Sequence, residues 1–158
     1  MRKLFASILL DRAKINNNII LITADLGFGL FDDFRKELPH QFYNVGAAET
    51  CAMGIAVGLA LENKIPFVYS ITPFLLWRAA ETIRNYVNYE SVPVKMIGSG
   101  RDDDYKHDGF SHWAGDDEGL MKLFPNIKHL RPYSNVQIKY VVEEMIEENK
   151  PFYLNLKR

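Results

Sequence analysis

Glu49 stands alone in a stretch almost free of functional groups. From Gly46 to Leu61 the chain reads Gly-Ala-Ala-Glu-Thr-Cys-Ala-Met-Gly-Ile-Ala-Val-Gly-Leu-Ala-Leu, and the next carboxylate is Glu62. A carboxyl set among alanines and glycines should resist ionisation, because burial disfavours the charged form. Such a group suits hydrogen-bonded proton chemistry. The plainer alternative is a Glu in the first turn of a helix, where the macrodipole favours negative charge. A second concentration of functional groups is the loop from Ser99 to about Gly115, with Arg101, three aspartates, His107, Asp108 and His112. A His with a nearby Asp can orient polar groups and shuttle protons near neutral pH. The plainer alternative there is a solvated loop.

These residues need elements to position them. Leu4, Ile8 and Leu9 mark a helix over residues 3–14, stopped by Asn16-Asn17-Asn18. Ile19 to Ala24 is an apolar run of strand length, ending in the loop Asp25-Leu26-Gly27-Phe28-Gly29. A short helix from Phe31 to Leu38 and a strand at 42–45 lead into the small-residue helix, expected over 47–62. Residues 65–70 form a third strand. Thr72 and Pro73 open a helix running to about Tyr89, with Thr72 as its cap. Strands at 92–98, within 125–130 and at 152–156, and helices near 116–123 and at 135–148, complete the alternation. This pattern predicts one α/β domain: three layers, a mostly parallel sheet with helices on both faces. Active residues of such sheets gather beyond the C-terminal ends of the strands. Asp25, Glu49, Thr72 and the 99–115 loop all fall there.

Bulk properties narrow the classes. The 158 residues suit one domain, 47% hydrophobic and 25% charged. A net charge of −1 gives no reason to expect nucleic acid or an anionic membrane surface. One cysteine, Cys51, excludes a disulfide framework and points to a reducing, cytoplasmic compartment; it reads as a small buried residue. Met1 to Leu10 lacks a cleavage site and reads as an amphipathic helix, not a signal peptide. No apolar run has the length of a membrane span. His40 and His129 read as surface residues.

Five landmarks in register resemble the transketolase pyrimidine-binding domain. They are Ile22-Thr23-Ala24-Asp25-Leu26, Asn44-Val45-Gly46-Ala47-Ala48-Glu49, Ile83-Arg84-Asn85, Asp108-Gly109-Phe110-Ser111-His112, and Pro125-Asn126-Ile127 with Arg131-Pro132. The resemblance implies the thiamine-diphosphate-binding fold of the pyrimidine-binding type. It also implies transfer of two-carbon ketol units between sugars. Glu49 would be the catalytic carboxyl that hydrogen-bonds the cofactor's aminopyrimidine ring. Phe74, with Leu75 and Trp77, would wall the pyrimidine, although Leu75 and Trp77 suit core packing equally well. Asp108 and His112 would contact substrate hydroxyl and carbonyl groups, with His112 catalytic. Arg2 and Arg158 would bind a substrate phosphate through bidentate hydrogen bonds. Asp25 would lie at a subunit interface, or cap the following helix.

The sequence also departs from that family. Phe110 replaces the usual Pro. Gly29 stands where a phosphate-binding Ser is expected, with His107 and Arg101 as candidate replacements. The Gly-Asp-Gly…Asn motif that holds the diphosphate and its metal is absent from the sequence. The expectation is therefore a pyrimidine-binding subunit that binds no metal itself. A separate diphosphate-binding transketolase subunit would hold the Mg²⁺ and complete the site, in an α2β2 assembly acting on sugars or sugar phosphates. Met1 and a complete last strand argue for an intact subunit rather than a fragment. The alternatives are a deoxyxylulose-phosphate-synthase-like subunit, a 2-oxoacid dehydrogenase E1 β-like subunit, or a non-catalytic scaffold.

Overall fold

A computed structural model describes residues 1–158. The apolar runs become β1 (Ile19–Thr23), β2 (Phe42–Asn44), β3 (Ile65–Ile71), β4 (Lys95–Ser99), β5 (Lys128–Leu130) and β6 (Phe152–Leu156). They form one sheet in the order β2-β1-β3-β4-β6-β5, and every neighbouring pair is parallel. Parallel strands cannot be joined by a tight turn, so the chain returns along a face each time. The central strands β1, β3, β4 and β6 are buried on both sides, which is why they read as unbroken apolar runs.

Alternate strand residues feed two cores. Ile19, Leu21, Phe67, Tyr69, Ile97 and Leu154 face α1 (Arg2–Ile15), α2 (Asp32–Glu37) and α7 (Asn135–Glu147). Ile20, Ile22, Val68, Met96 and Tyr153 face α3 (Glu49–Leu61), α4 (Thr72–Arg78) and α6 (Asp117–Met121), and a short α5 (Ala80–Thr82) follows α4 without burying a residue. Each fully buried Leu, Ile or Phe contributes about 1.5–3 kcal/mol by leaving water. Helices thus cover both faces of the sheet, as the alternation predicted. No helix is long and apolar enough to cross a membrane.

Local differences from the sequence reading have physical causes. The helix expected from Thr72 to Tyr89 breaks at Ala79 (φ −102°, ψ 13°), because the Thr50 hydroxyl takes the Arg78 carbonyl at 2.7 Å. Beyond α5 the chain is π-helical over Ile83–Tyr89. Thr72 is no cap: it lies inside α4, and its hydroxyl donates to the Gly100 carbonyl at 2.6 Å. β4 starts at Lys95, not at residue 92, because the Val92 N–H is spent on the Tyr86 carbonyl and Pro93 has none to give. The 99–115 loop is ordered. Two short 3₁₀ turns lie within it, and an Asp102–Ala114 bridge closes its base.

Candidate active site

Glu49 is the first residue of α3 and only 2% exposed. The turn before it is pinned by Asn44, whose Oδ1 accepts the N–H groups of Asp25 and Gly46 at 3.0 Å each. Gly46 has φ +73°, a conformation that side-chain-bearing residues rarely adopt. The expectation of an isolated carboxyl among alanines is corrected here. Ser70, at the end of β3, donates to Glu49 Oε1 at 3.0 Å, and Arg78 Nη1 donates to Oε2 at 2.8 Å. The buried carboxylate therefore has a partner on each oxygen.

Phe74 and Arg78 lie one turn apart on α4, so both side chains reach the same side of the helix. The Arg78 guanidinium carbon sits 3.9 Å from the Phe74 ring centre. The His112 ring meets Phe74 edge-on, with centroids 4.8 Å apart. Trp77 is 52% exposed and its Nε1 donates to Asp116 at 3.2 Å, tying α4 to the base of the loop. Phe74, Trp77, Arg78, Phe110 and Trp113 line a hollow of about 260 Å³. Leu75 is removed from the candidate wall. It is fully buried in the core beneath α4 and offers no surface to a ligand.

A second cluster lies on the other side of the sheet's C-terminal edge. Arg2 Nη1 donates to the Tyr105 hydroxyl at 2.8 Å and reaches Ser99 Oγ at 3.4 Å. The Tyr69 hydroxyl donates to Ser99 Oγ at 2.9 Å. Burial pushes the Tyr69 phenol up from its ordinary pKa, so it remains a neutral donor. The Arg158 guanidinium lies 5.1 Å from the Tyr105 ring centre. Arg2 and Arg158 thus meet on one tyrosine, from the two ends of the chain. With Gly27, Gly29, Tyr69 and Ser99 as walls, the cavity measures about 390 Å³. Ser99, Tyr105 and Tyr69 supply hydroxyls where Gly29 supplies none.

Other candidates are placed differently from expectation. Asp108 is exposed and lies 3.3 Å from His107 Nε2, while His112 Nδ1 contacts Ser111 Oγ at 3.0 Å. Asp108 and His112 therefore share a loop without bonding each other. Arg101 is no free anion ligand. It is 5% exposed and its guanidinium is used up on the Asn155 side chain and the Pro132 and Asn155 carbonyls. Asp25 is exposed with φ +54° and does not cap α2, whose cap position is Phe31. Cys51 lies on the outward face of α3, exposed rather than buried. His129 stacks on Tyr153 with centroids 4.8 Å apart, and its burial lowers its pKa.

The largest cleft, about 990 Å³, runs along the π-helical stretch, away from Glu49. Of its lining residues only Phe124 is buried, and the cleft gathers no buried polar group such as Tyr69 and Ser99 supply to the Arg2 cavity. No three potential metal-ligating side chains gather anywhere in the chain.

Sequence reasoning missed Ser70, Arg78, Ser99 and Tyr105. Ser70 and Ser99 carry a usable signal, a lone hydroxyl at the C-terminal end of an apolar strand. Arg78 is the one cation on the helix after Pro73. Tyr105 has no signal in a single sequence.

A wholly parallel sheet covered by helices on both faces, with a buried carboxylate and an aromatic ring at its C-terminal edge, defines an α/β domain with a candidate site where such sheets bind their ligands. Comparison with known proteins makes this specific. A family profile described as "Transketolase, pyrimidine binding domain" matches residues 1–158, and the chain belongs to that family. It is 34% identical to a protein provisionally named transketolase C-terminal section from Methanocaldococcus jannaschii, covering 100% of this chain and 50% of the relative. It is 31% identical to one subunit of an apulose-4-phosphate transketolase from Phocaeicola vulgatus, covering 99% and 51%. A 6-deoxy-6-sulfo-D-fructose transketolase subunit from a Clostridium species is 28% identical over 100% of this chain and 49% of its own. A solved split-gene transketolase, described as an inactive beta4 tetramer, superposes with TM-score 0.87 at 32% identity, covering 99% of this chain and 50% of that one. The chain spans about half the length of the curated relatives it matches.

The residues present fit the pyrimidine half of thiamine diphosphate. A planar ring with N–H donors, laid on Phe74, would have the Glu49 carboxylate within hydrogen-bond reach. Arg78 demonstrates that one planar group can make both contacts at once.

Proposed function

We propose that the chain is the pyrimidine-binding part of a transketolase-like transferase, active when a diphosphate-binding subunit completes its site. The observation that carries this reading is the Glu49–Phe74 pair, a buried carboxylate and an aromatic face spanned by one planar group. When bound, thiamine diphosphate supplies the carbon centre through which a two-carbon ketol unit passes from one sugar to another. Glu49 would share one proton with the pyrimidine ring nitrogen in a hydrogen bond, and Ser70 orients the carboxyl through Oε1. Phe74 gives the ring its stacking face, with Trp77 at the rim. His112, packed on Phe74, stands where it can move a proton at a substrate hydroxyl. Asp108 and His107 extend the polar loop beside it. Asp25 is assigned to the subunit interface, because it is exposed at the strand ends beside the Glu49 turn.

Arg2 and Arg158 hold the far end of the substrate. The Arg2 guanidinium beside three hydroxyls in the cavity, with Arg158 packed on the Tyr105 ring at its edge, suits a tetrahedral anion. Two relatives carry such a group in their names, a phosphate and a sulfo group. The substrate class is therefore a ketose or aldose with a terminal phosphate or sulfonate. In this reading Mg²⁺ and the diphosphate are assigned to the partner subunit. The assembly is α2β2 and cytoplasmic.

The test is reconstitution. The purified chain alone should show no ketol transfer. The chain mixed with a diphosphate-binding transketolase subunit, thiamine diphosphate and Mg²⁺ should transfer ketol units. Full turnover without a partner would overturn the half-site reading.

A further inference from the structure

We propose that Arg78 is an internal stand-in for the pyrimidine, occupying the Glu49–Phe74 site until the cofactor displaces it. This rests on the reading of Glu49 and Phe74 given above. The guanidinium reproduces both contacts required of an aminopyrimidine that carries a proton on its ring nitrogen, an N–H donated to the carboxylate and a planar face laid on Phe74. It is planar and lies 3.9 Å from the Phe74 ring centre, and its Nη1 donates to Glu49 Oε2 at 2.8 Å. Arg78 and the ring therefore compete for one carboxylate oxygen and one aromatic face.

The local structure lets Arg78 leave. Its side chain is 45% exposed, so the guanidinium has a path to water. It is the last residue of α4, before the non-helical Ala79. Its carbonyl is held by Thr50 Oγ1 at 2.7 Å. The backbone can stay fixed while the side chain swings out. Departure does not strip Glu49 bare, because Ser70 keeps its bond to Oε1 at 3.0 Å. In the empty site Arg78 meets the need of a buried carboxylate for a partner. The chain can then fold and wait for its cofactor without an unpaired buried charge.

The experiment is an NMR titration of the intact chain with 4-amino-2-methylpyrimidine, the ring without the diphosphate. Wild type, Arg78→Met and the double variant Glu49→Gln/Arg78→Met are compared, with circular dichroism to confirm folding. Arg78→Gln replaces Arg78→Met if the latter does not fold. Arg78→Met should bind about tenfold more tightly than wild type, as removal of a competitor that fills the site about nine-tenths of the time requires. In wild type the Arg78 Nε–H signal should move towards that of free arginine as the ring is added. Equal or weaker binding by Arg78→Met, or none, overturns the stand-in. The double variant separates this from the underlying reading. Equal binding that is lost in the double variant removes only the stand-in, whereas binding that survives in it removes the role of Glu49 as well.

Discussion

The two candidate sites sit on opposite sides of one sheet edge and are built in opposite ways. The Glu49 site uses regular elements: the first turn of α3, the last residues of β3 and one face of α4. The Arg2 site uses the chain's two ends and a loop, joined by contacts as far apart in sequence as Arg2 and Tyr105. On the proposed function, the first would need a reacting group held still, and rigid elements do that. The second would need to match the tail of a substrate, and loops and ends can be changed for that without disturbing the sheet. Chemistry and specificity would then be divided between the two halves of the edge.

The largest expected effect tests that division directly. Glu49→Gln should lower kcat of the reconstituted enzyme by about 10³-fold. Binding of inorganic phosphate to the Arg2 site should not change. A fall in phosphate affinity comparable to the fall in kcat would merge the two sites into one. Wild-type turnover would make Glu49 the ordinary first-turn carboxylate of α3.

Arg101→Ala is next. It leaves the Asn155 side chain and the Pro132 and Asn155 carbonyls without their buried partner, at a cost of about 3 kcal/mol. Denaturant unfolding measures this. The loosened loop should weaken phosphate binding at the Arg2 site and leave pyrimidine binding at Glu49 intact, apart from the contact of His112 with Phe74. Equal damage to both would mean that the loop, not the regular elements, holds the first site.

The shared scaffold supplies a control. Lys95 begins the strand that Ser99 ends, and burial lowers its pKa to about 8. Between about pH 8 and the unfolded value near 10.5, the unfolded chain holds the proton and the folded chain does not. Stability from this group therefore rises with pH across that window, by up to roughly 3 kcal/mol. Comparing wild type with Lys95→Met by denaturant unfolding at about pH 7, below the window, and about pH 10, near its upper end, isolates most of the effect. Neither site should respond. A shift in ligand affinity that follows Lys95 would show the two sites coupled through β4.

The same contrast explains what a single sequence could disclose. The parallel sheet, its layers and the burial of Glu49 were legible because apolar runs and small-residue stretches are local patterns. The core position of Leu75 was not, because helical periodicity around Pro73 leaves two faces open and only packing chooses between them. The outward position of Cys51 was hidden for the same reason. Arg101 looked like a free cation because its partners, Pro132 and Asn155, lie 31 and 54 residues away. Arg2 and Arg158 were reached by resemblance alone. Tyr105, the residue that joins them, exists as a site residue only once the sheet has brought the two chain ends together.

Tyr105→Phe gives the smallest effect and the sharpest decision. It keeps the ring beside Arg158 and removes the hydroxyl that takes the Arg2 hydrogen bond and neighbours Ser99 Oγ at 3.2 Å. If that hydroxyl holds Arg2 in place for an anion, its loss costs about 1 kcal/mol. Phosphate then binds about fivefold more weakly, and KM for a phosphorylated or sulfonated sugar rises while kcat stays constant. If the hydroxyl instead occupies Arg2 as Arg78 occupies Glu49, phosphate binds more tightly in the variant. The direction of one change in affinity therefore decides the comparison. Weaker binding keeps the sites different in kind, one filled by a surrogate and one held ready for its ligand. Tighter binding would make self-occupation a property of the whole edge.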